Sequence, residues 1–141
     1  MIPERSAPVT YALFRIVFGY VFFIFGLQKF GFLGGTMVEL ASMQGGAAVI
    51  EAEGGFLIMV GLFTRPAAFI ASGEMAVAYF YVHVMMVGLG PQGPGMPLAV
   101  LIPQMNGGLN AAMFCFAFLY IATRGAGIWS VDAMMGGRSR R

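Results

Sequence analysis

The sequence predicts an all-α integral membrane protein: a four-helix bundle with both termini in the cytoplasm. Three observations predict it. Of 141 residues, 59% are hydrophobic and only 10% charged, with mean hydropathy +0.82. Soluble domains run near half apolar and about a quarter charged, and a globule of this size has too little interior to hide the excess. Second, the apolar residues gather into four continuous runs, each about 17–25 residues long, the length a helix needs to cross the hydrocarbon. Continuous runs, rather than alternating ones of about ten residues, exclude a β-barrel. Third, the basic residues fall almost entirely on one side of the topology these runs define.

The first span covers residues 9–32 and closes on Gly34-Gly35. Its length, the charge at Arg15 and the ending Gly-Leu-Gln-Lys set it apart from a cleavable signal. The second, 46–63, stops at Thr64-Arg65-Pro66, and the third, 66–87, opens on Pro66, a favourable first helical position. An uncharged loop rich in glycine and proline (88–103) leads to the fourth span, 107–123. The chain reads as one transmembrane domain, 1–141. With the N-terminus inside, the cytoplasmic side receives Arg5, Arg65, Arg124, Arg138, Arg140 and Arg141, while the outer side keeps only Lys29. That bias fixes the orientation, with both termini in the cytoplasm.

The charges exclude other classes. The net charge is +2, but no basic patch interleaved with reader side chains exists, so nucleic acid is not an expected partner. The single cysteine, Cys115, excludes an intrachain disulfide and any Cys-x-x-Cys motif, and reads as an inert packing residue. One histidine cannot give bis-histidine haem ligation within the chain. No metal site is expected, and the methionines Met85, Met86, Met96 and Met105 read as apolar filling.

Ionisable groups within spans are costly and face the bundle interior. Here they are Arg15, Glu51, Glu53, Glu74 and His83, with Gln28, Lys29 and Asn110 nearer the ends. Counted from the cytoplasmic ends, Arg15 lies about 9 Å deep, Glu74 about 12 Å, Glu53 about 15 Å and Glu51 about 18 Å. An inner Arg–carboxylate layer and an outer polar layer of Gln28, Lys29 and His83 result. The preferred inner contact is a buried Arg15–Glu74 ion pair that fixes helix register, with Glu53 and Glu51 as deeper candidates. At 100° per residue, Arg15, Gly19, Phe22, Gly26 and Lys29 share one stripe, whose glycines allow close backbone approach. Ala68, Ser72 and Ala76 form a second small-residue stripe for helix packing. Glu74 and His83, nine apart, fall on opposite sides of a straight helix.

Several stretches together resemble the DoxX family of small bacterial membrane proteins. They are Arg15-Ile-Val-Phe-Gly19 with Gly26-Leu-Gln-Lys29-Phe; Ile50-Glu51, Gly54-Gly55 and Gly61-Leu-Phe-Thr-Arg65-Pro66; Gly73-Glu74-Met-Ala-Val-Ala-Tyr79 with His83; and Asn106-Gly107-Gly108 with Gly125-Ala-Gly127-Ile-Trp-Ser130-Val-Asp132. The resemblance implies a four-helix inner-membrane bundle. Some relatives are associated with quinone-linked oxidation of sulfur compounds or with thiol-redox complexes, usually beside other subunits. The fourth helix of relatives often carries a glutamate just after the Gly-Gly; here the place reads Leu109-Asn110.

The leading expectation is a non-catalytic subunit or assembly factor of a membrane redox or respiratory complex, with other membrane subunits, a second copy and membrane lipids as partners. The first alternative is a quinone-reactive oxidoreductase subunit, with Arg15, Glu51 and Glu74 lining the pocket and quinone as the cofactor. A small solute or proton transporter is the second, although four short helices leave little room for a polar path.

Overall fold

The computed structural model describes residues 3–91, 95 and 98–138, and is all-helical with no strand among them. Arg140, Arg141, Met96 and the loop positions 92–94 and 97 lie outside the described residues, as does the side chain of Arg138. Helix α1 is Ala7–Lys29. Helix α2 runs continuously over 43–60, its middle turn Ile50–Gly54 widened to i→i+5 bonding. Helix α3 is Thr64–Gly88, with the same widening from Ala78 onward. Two short turns, Ala99–Leu101 and Pro103–Asn106, lead to α4, Leu109–Arg124, and a final helix α5 covers Val131–Arg138. Helices α1 and α3 are each long and apolar enough to cross a membrane; α4 is apolar but shorter, at 16 residues.

Local signals set the boundaries. The Ser42 hydroxyl accepts the Gly45 N–H at 3.1 Å and caps α2. Gly61, at φ +74°, turns the chain left-handed and stops α2, its own N–H closing on the Leu57 and Ile58 carbonyls and leaving that of Met59 without a helical donor.

The helices pack as two pairs. In α1/α2 the contact is backbone on backbone: a Cβ on Gly26 would lie 2.2 Å from Ala52 N, one on Gly19 2.5 Å from Met59 N, and one on Gly55 2.3 Å from Phe23 N. In α3/α4, Ala67, Ala68, Ala71 and Met75 bury against Ala111, Phe114, Phe118 and Ile121, and the Ser72 hydroxyl donates to the Cys115 carbonyl at 2.8 Å. Ala68 and Ser72 are buried in this contact, whereas Ala76 is half-buried. Phe22 joins the pairs, its ring 4.6 Å from that of Phe118 and 5.7 Å from that of Phe114. Such edge-on and tilted contacts are the favoured aromatic geometries.

After α4 the chain turns back at Gly125 and Gly127 and straps across the ends of the other helices. The Tyr11 hydroxyl donates to the Gly125 carbonyl, and the Asp132 N–H to that of Gly61 at 2.9 Å. The Asp132 carboxylate accepts the N–H groups of Phe63 and Thr64, at 2.9 and 3.0 Å, and the Thr64 hydroxyl at 2.9 Å. A distant aspartate thus caps α3, where orphan N–H groups and the positive end of the helix dipole favour an anion. Burial works to raise the Asp132 carboxyl, but the Thr64 and Phe63 donors and the Arg15 charge outweigh it and hold the group below its ordinary value of 3.8. A depressed folded value means the stabilisation is complete above the ordinary value and is lost as pH falls through the folded one. Asp132→Asn keeps one acceptor oxygen but loses the other and the charge at the helix start, and should therefore cost about 1 kcal/mol at neutral pH. That difference should shrink to nothing in acid, as read by thermal unfolding of both forms across pH.

Candidate functional site

The ionisable side chains turned into the fold separate into two places. The first lies at the strap end and is built on Arg15, which is 0% exposed. Its Nη1 donates to the carbonyls of Ile58 and Met59, both at 2.7 Å, and its Nη2 to those of Trp129 at 2.7 Å and Ile128 at 3.4 Å. The Met59 carbonyl is one that the end of α2 leaves open, the Ile58 carbonyl also accepts the Gly61 N–H at 3.2 Å, and the other two come from the strap. The expected Arg15–Glu74 ion pair does not form, and Glu53, the deeper candidate, is exposed. The reason is physical: a helix C-terminus offers orphan acceptors with a negative dipole end, and a guanidinium satisfies several at once. Arg15 is therefore a clasp holding α1, the end of α2 and the strap together.

The second place is a cleft of about 630 Å³ between α1, α2, α3 and α4. Its walls are apolar, including Phe25, Ile50, Met75 and Phe114, and Lys29, Glu51, Glu74, His83 and Asn110 line it as well. Lys29 Nζ and Glu51 Oε1 form an ion pair at 2.7 Å, with the Glu51 side chain 4% exposed. The expected separation into an inner carboxylate layer and an outer polar layer is thus corrected: Lys29 reaches Glu51, because the height of a Cα does not fix where a four-carbon stem places its ammonium. Glu51 Oε2 and Glu74 Oε2 are buried without a hydrogen-bond partner.

Glu74 and His83 also meet on the cleft, against the opposite faces expected of them. The widened helix from Ala78 is the cause, since each i→i+5 turn takes in an extra residue and shifts the phase. Gln28 lines a neighbouring cavity of about 510 Å³ that shares Phe25, Lys29 and Glu51 with the cleft. The Lys29–Glu51 pair stands between the two. Arg15 does not line the cleft, which corrects its expected place in a pocket with Glu51 and Glu74.

Sequence reasoning missed Asp132 as a cap and Asn106 as an organiser. Asn106, 2% exposed, donates through Nδ2 to the Val100 carbonyl at 2.8 Å and accepts the Gly108 N–H at 2.8 Å. His83 Nδ1 lies 3.3 Å from the Asn106 carbonyl, so the Asn106 turn also orients the His83 ring. The signal was available as a polar residue beside two glycines.

Long apolar helices, charged groups turned inward and glycine-tight packing define a small helical membrane protein. A family model described as DoxX matches residues 10–84. An uncharacterized protein of Haemophilus influenzae is 38% identical over 134 residues, covering 92% of each chain. The chain belongs to the DoxX family. No solved structure gives a match.

Proposed function

We propose that the chain is a four-span protein of the bacterial inner membrane, with both termini in the cytoplasm, that holds a lipid-soluble small molecule between its helices. The cleft carries this reading: about 630 Å³ of mainly apolar space with a few converging polar groups is the form small-molecule sites take. The arginine bias supports the orientation. The topology is tested by reporter fusions. Those after Arg65 and at the C-terminus should report cytoplasm, and one at Gly90 the outer side; a cytoplasmic signal at Gly90 would overturn four spans.

The binding reading is tested by filling the cleft. Gly73 lines it, and a Cβ there meets nothing within 4 Å, so a large side chain is accommodated at the rim of the cleft without backbone strain. The probe is N-phenyl-1-naphthylamine, a neutral lipophilic fluorophore, in phosphatidylcholine nanodiscs. The native chain should add a saturable signal, one probe per chain, over empty discs, and Gly73→Trp should weaken it about tenfold or more. Equal signals from the two forms would remove the cleft as a site.

Service as a non-catalytic subunit beside redox proteins is supported by the resemblance. Mild detergent extraction followed by identification of co-purifying subunits and quinones tests it. Quinone fits part of the lining. Its oxygens only accept, Lys29 and Asn110 can donate to them, and Glu51 and Glu74 offer it further acceptors.

A further inference from the structure

The polar lining of the cleft is unbalanced in charge: the amides of Gln44 and Asn110 can donate as well as accept but carry no charge, and neither bonds a carboxylate there. Two carboxylates, Glu51 and Glu74, face one ammonium, Lys29, so ionised groups leave an excess negative charge. Lys29 bonds one oxygen of Glu51, at 2.7 Å, and none of Glu74. One buried oxygen of each carboxylate has no partner, and Glu51 as a whole is 3% exposed. His83 does not offset the excess: a hydrogen bond to the Asn106 carbonyl requires the proton on Nδ1, which leaves Nε2 of the neutral ring an acceptor. Buried acceptors without donors are expensive, and more so away from water. A ligand that brings donors and positive charge relieves that cost; one that brings further acceptors does not.

We propose that the cleft is a binding site for an amphipathic organic cation, a protonated amine carried on an apolar body. The ammonium lies between Glu51 and Glu74, and the body occupies the apolar space toward Phe25, Met75 and Phe114. This rests on the cleft being a ligand site, and it adds the chemical class of the ligand. A charge-assisted hydrogen bond to a carboxylate is among the stronger contacts available, and three N–H donors on a primary ammonium can serve both unpartnered oxygens.

The test uses one apolar body with three heads. In phosphatidylcholine nanodiscs bearing the full chain, 1-naphthylmethylamine, 1-naphthylmethanol and 1-naphthylacetate displace N-phenyl-1-naphthylamine in turn. The amine should displace about tenfold better than the alcohol, as one charge-assisted bond requires, and the acetate worse than both. Glu74→Gln should bring the amine-to-alcohol ratio close to one, while Glu74→Asp, which keeps the carboxylate, should retain most of it. The ratio is internal to each preparation, so a change in the amount of folded protein does not move it, and Glu51→Gln provides the same reading if Glu74→Gln does not fold.

Equal displacement by all three heads, or better displacement by a decyl-quinone than by the amine, would overturn the cation assignment and leave a ligand cleft standing. Absence of any saturable reporter signal would overturn the cleft reading and this one with it. Replacing part of the disc lipid with phosphatidylethanolamine separates the two sources of the head. Competition by that lipid assigns the site to a zwitterionic headgroup and overturns the net-cationic ligand, and its absence assigns the ammonium to a free amine and supports the proposal.

Discussion

Arg15→Met should be the most damaging single substitution in the chain, lowering stability in detergent or nanodiscs by about 3–5 kcal/mol. Three guanidinium bonds of 2.7 Å, to Ile58, Met59 and Trp129, disappear together. The Met59 and Trp129 carbonyls lose these donors in partly buried places and the Ile58 carbonyl keeps only the Gly61 N–H at 3.2 Å; an acceptor left unsatisfied inside the fold costs about 1–3 kcal/mol. Because Arg15 clasps the strap as well as α2, the variant should also expose residues 125–138 to protease first. Glu74→Gln should not compensate. Arg15 and Glu74 share no contact in this fold, so a double-mutant cycle should give coupling within ordinary additivity, below about 0.5 kcal/mol. A larger coupling would restore the ion pair and contradict the clasp.

The second large effect is expected at the α1/α2 contact. Gly26→Leu places a Cβ where Ala52 N would lie 2.2 Å away, and the obstruction is backbone that no rotamer change can move. The helices must separate, so the loss should reach at least the upper end of ordinary overpacking, about 3 kcal/mol. Gly19→Leu should behave alike, since Met59 N blocks it at 2.5 Å. Gly54→Ala is the contrast: nothing lies within 4 Å of its Cβ, and its effect should stay within about 0.5 kcal/mol. Thermal unfolding of the three variants ranks them, and equal midpoints would mean that the glycine stripe faces lipid.

How far these features could be read in the sequence depends on what kind of physics positions them. Helical character followed from composition and run length, and the phase of Arg15, Gly19 and Gly26 from 100° per residue, because both are local. The partner of Arg15 was not local. Charges were matched with charges, whereas the acceptors exist only once Gly61 ends α2 and the strap brings Trp129 across. The meeting of Glu74 with His83 was hidden for another reason: the widening from Ala78 breaks the angular increment on which a helical wheel depends. Asp132 lay in a short segment after the last apolar run, where hydropathy carries no signal. Lys29 and Glu51 were each recognised as out of place in hydrocarbon. Their pairing required knowing that α1 and α2 touch through glycine, close enough for one side chain to reach the other.

The cleft at Lys29, Glu51 and Glu74 is proposed as a place where a molecule resides. Native mass spectrometry of the chain released from bacterial membrane nanodiscs tests that claim most directly, because it weighs whatever stays bound. The native chain should carry one small-molecule adduct that Gly73→Trp loses while keeping its thermal midpoint. Identical adduct spectra from the two forms would contradict it.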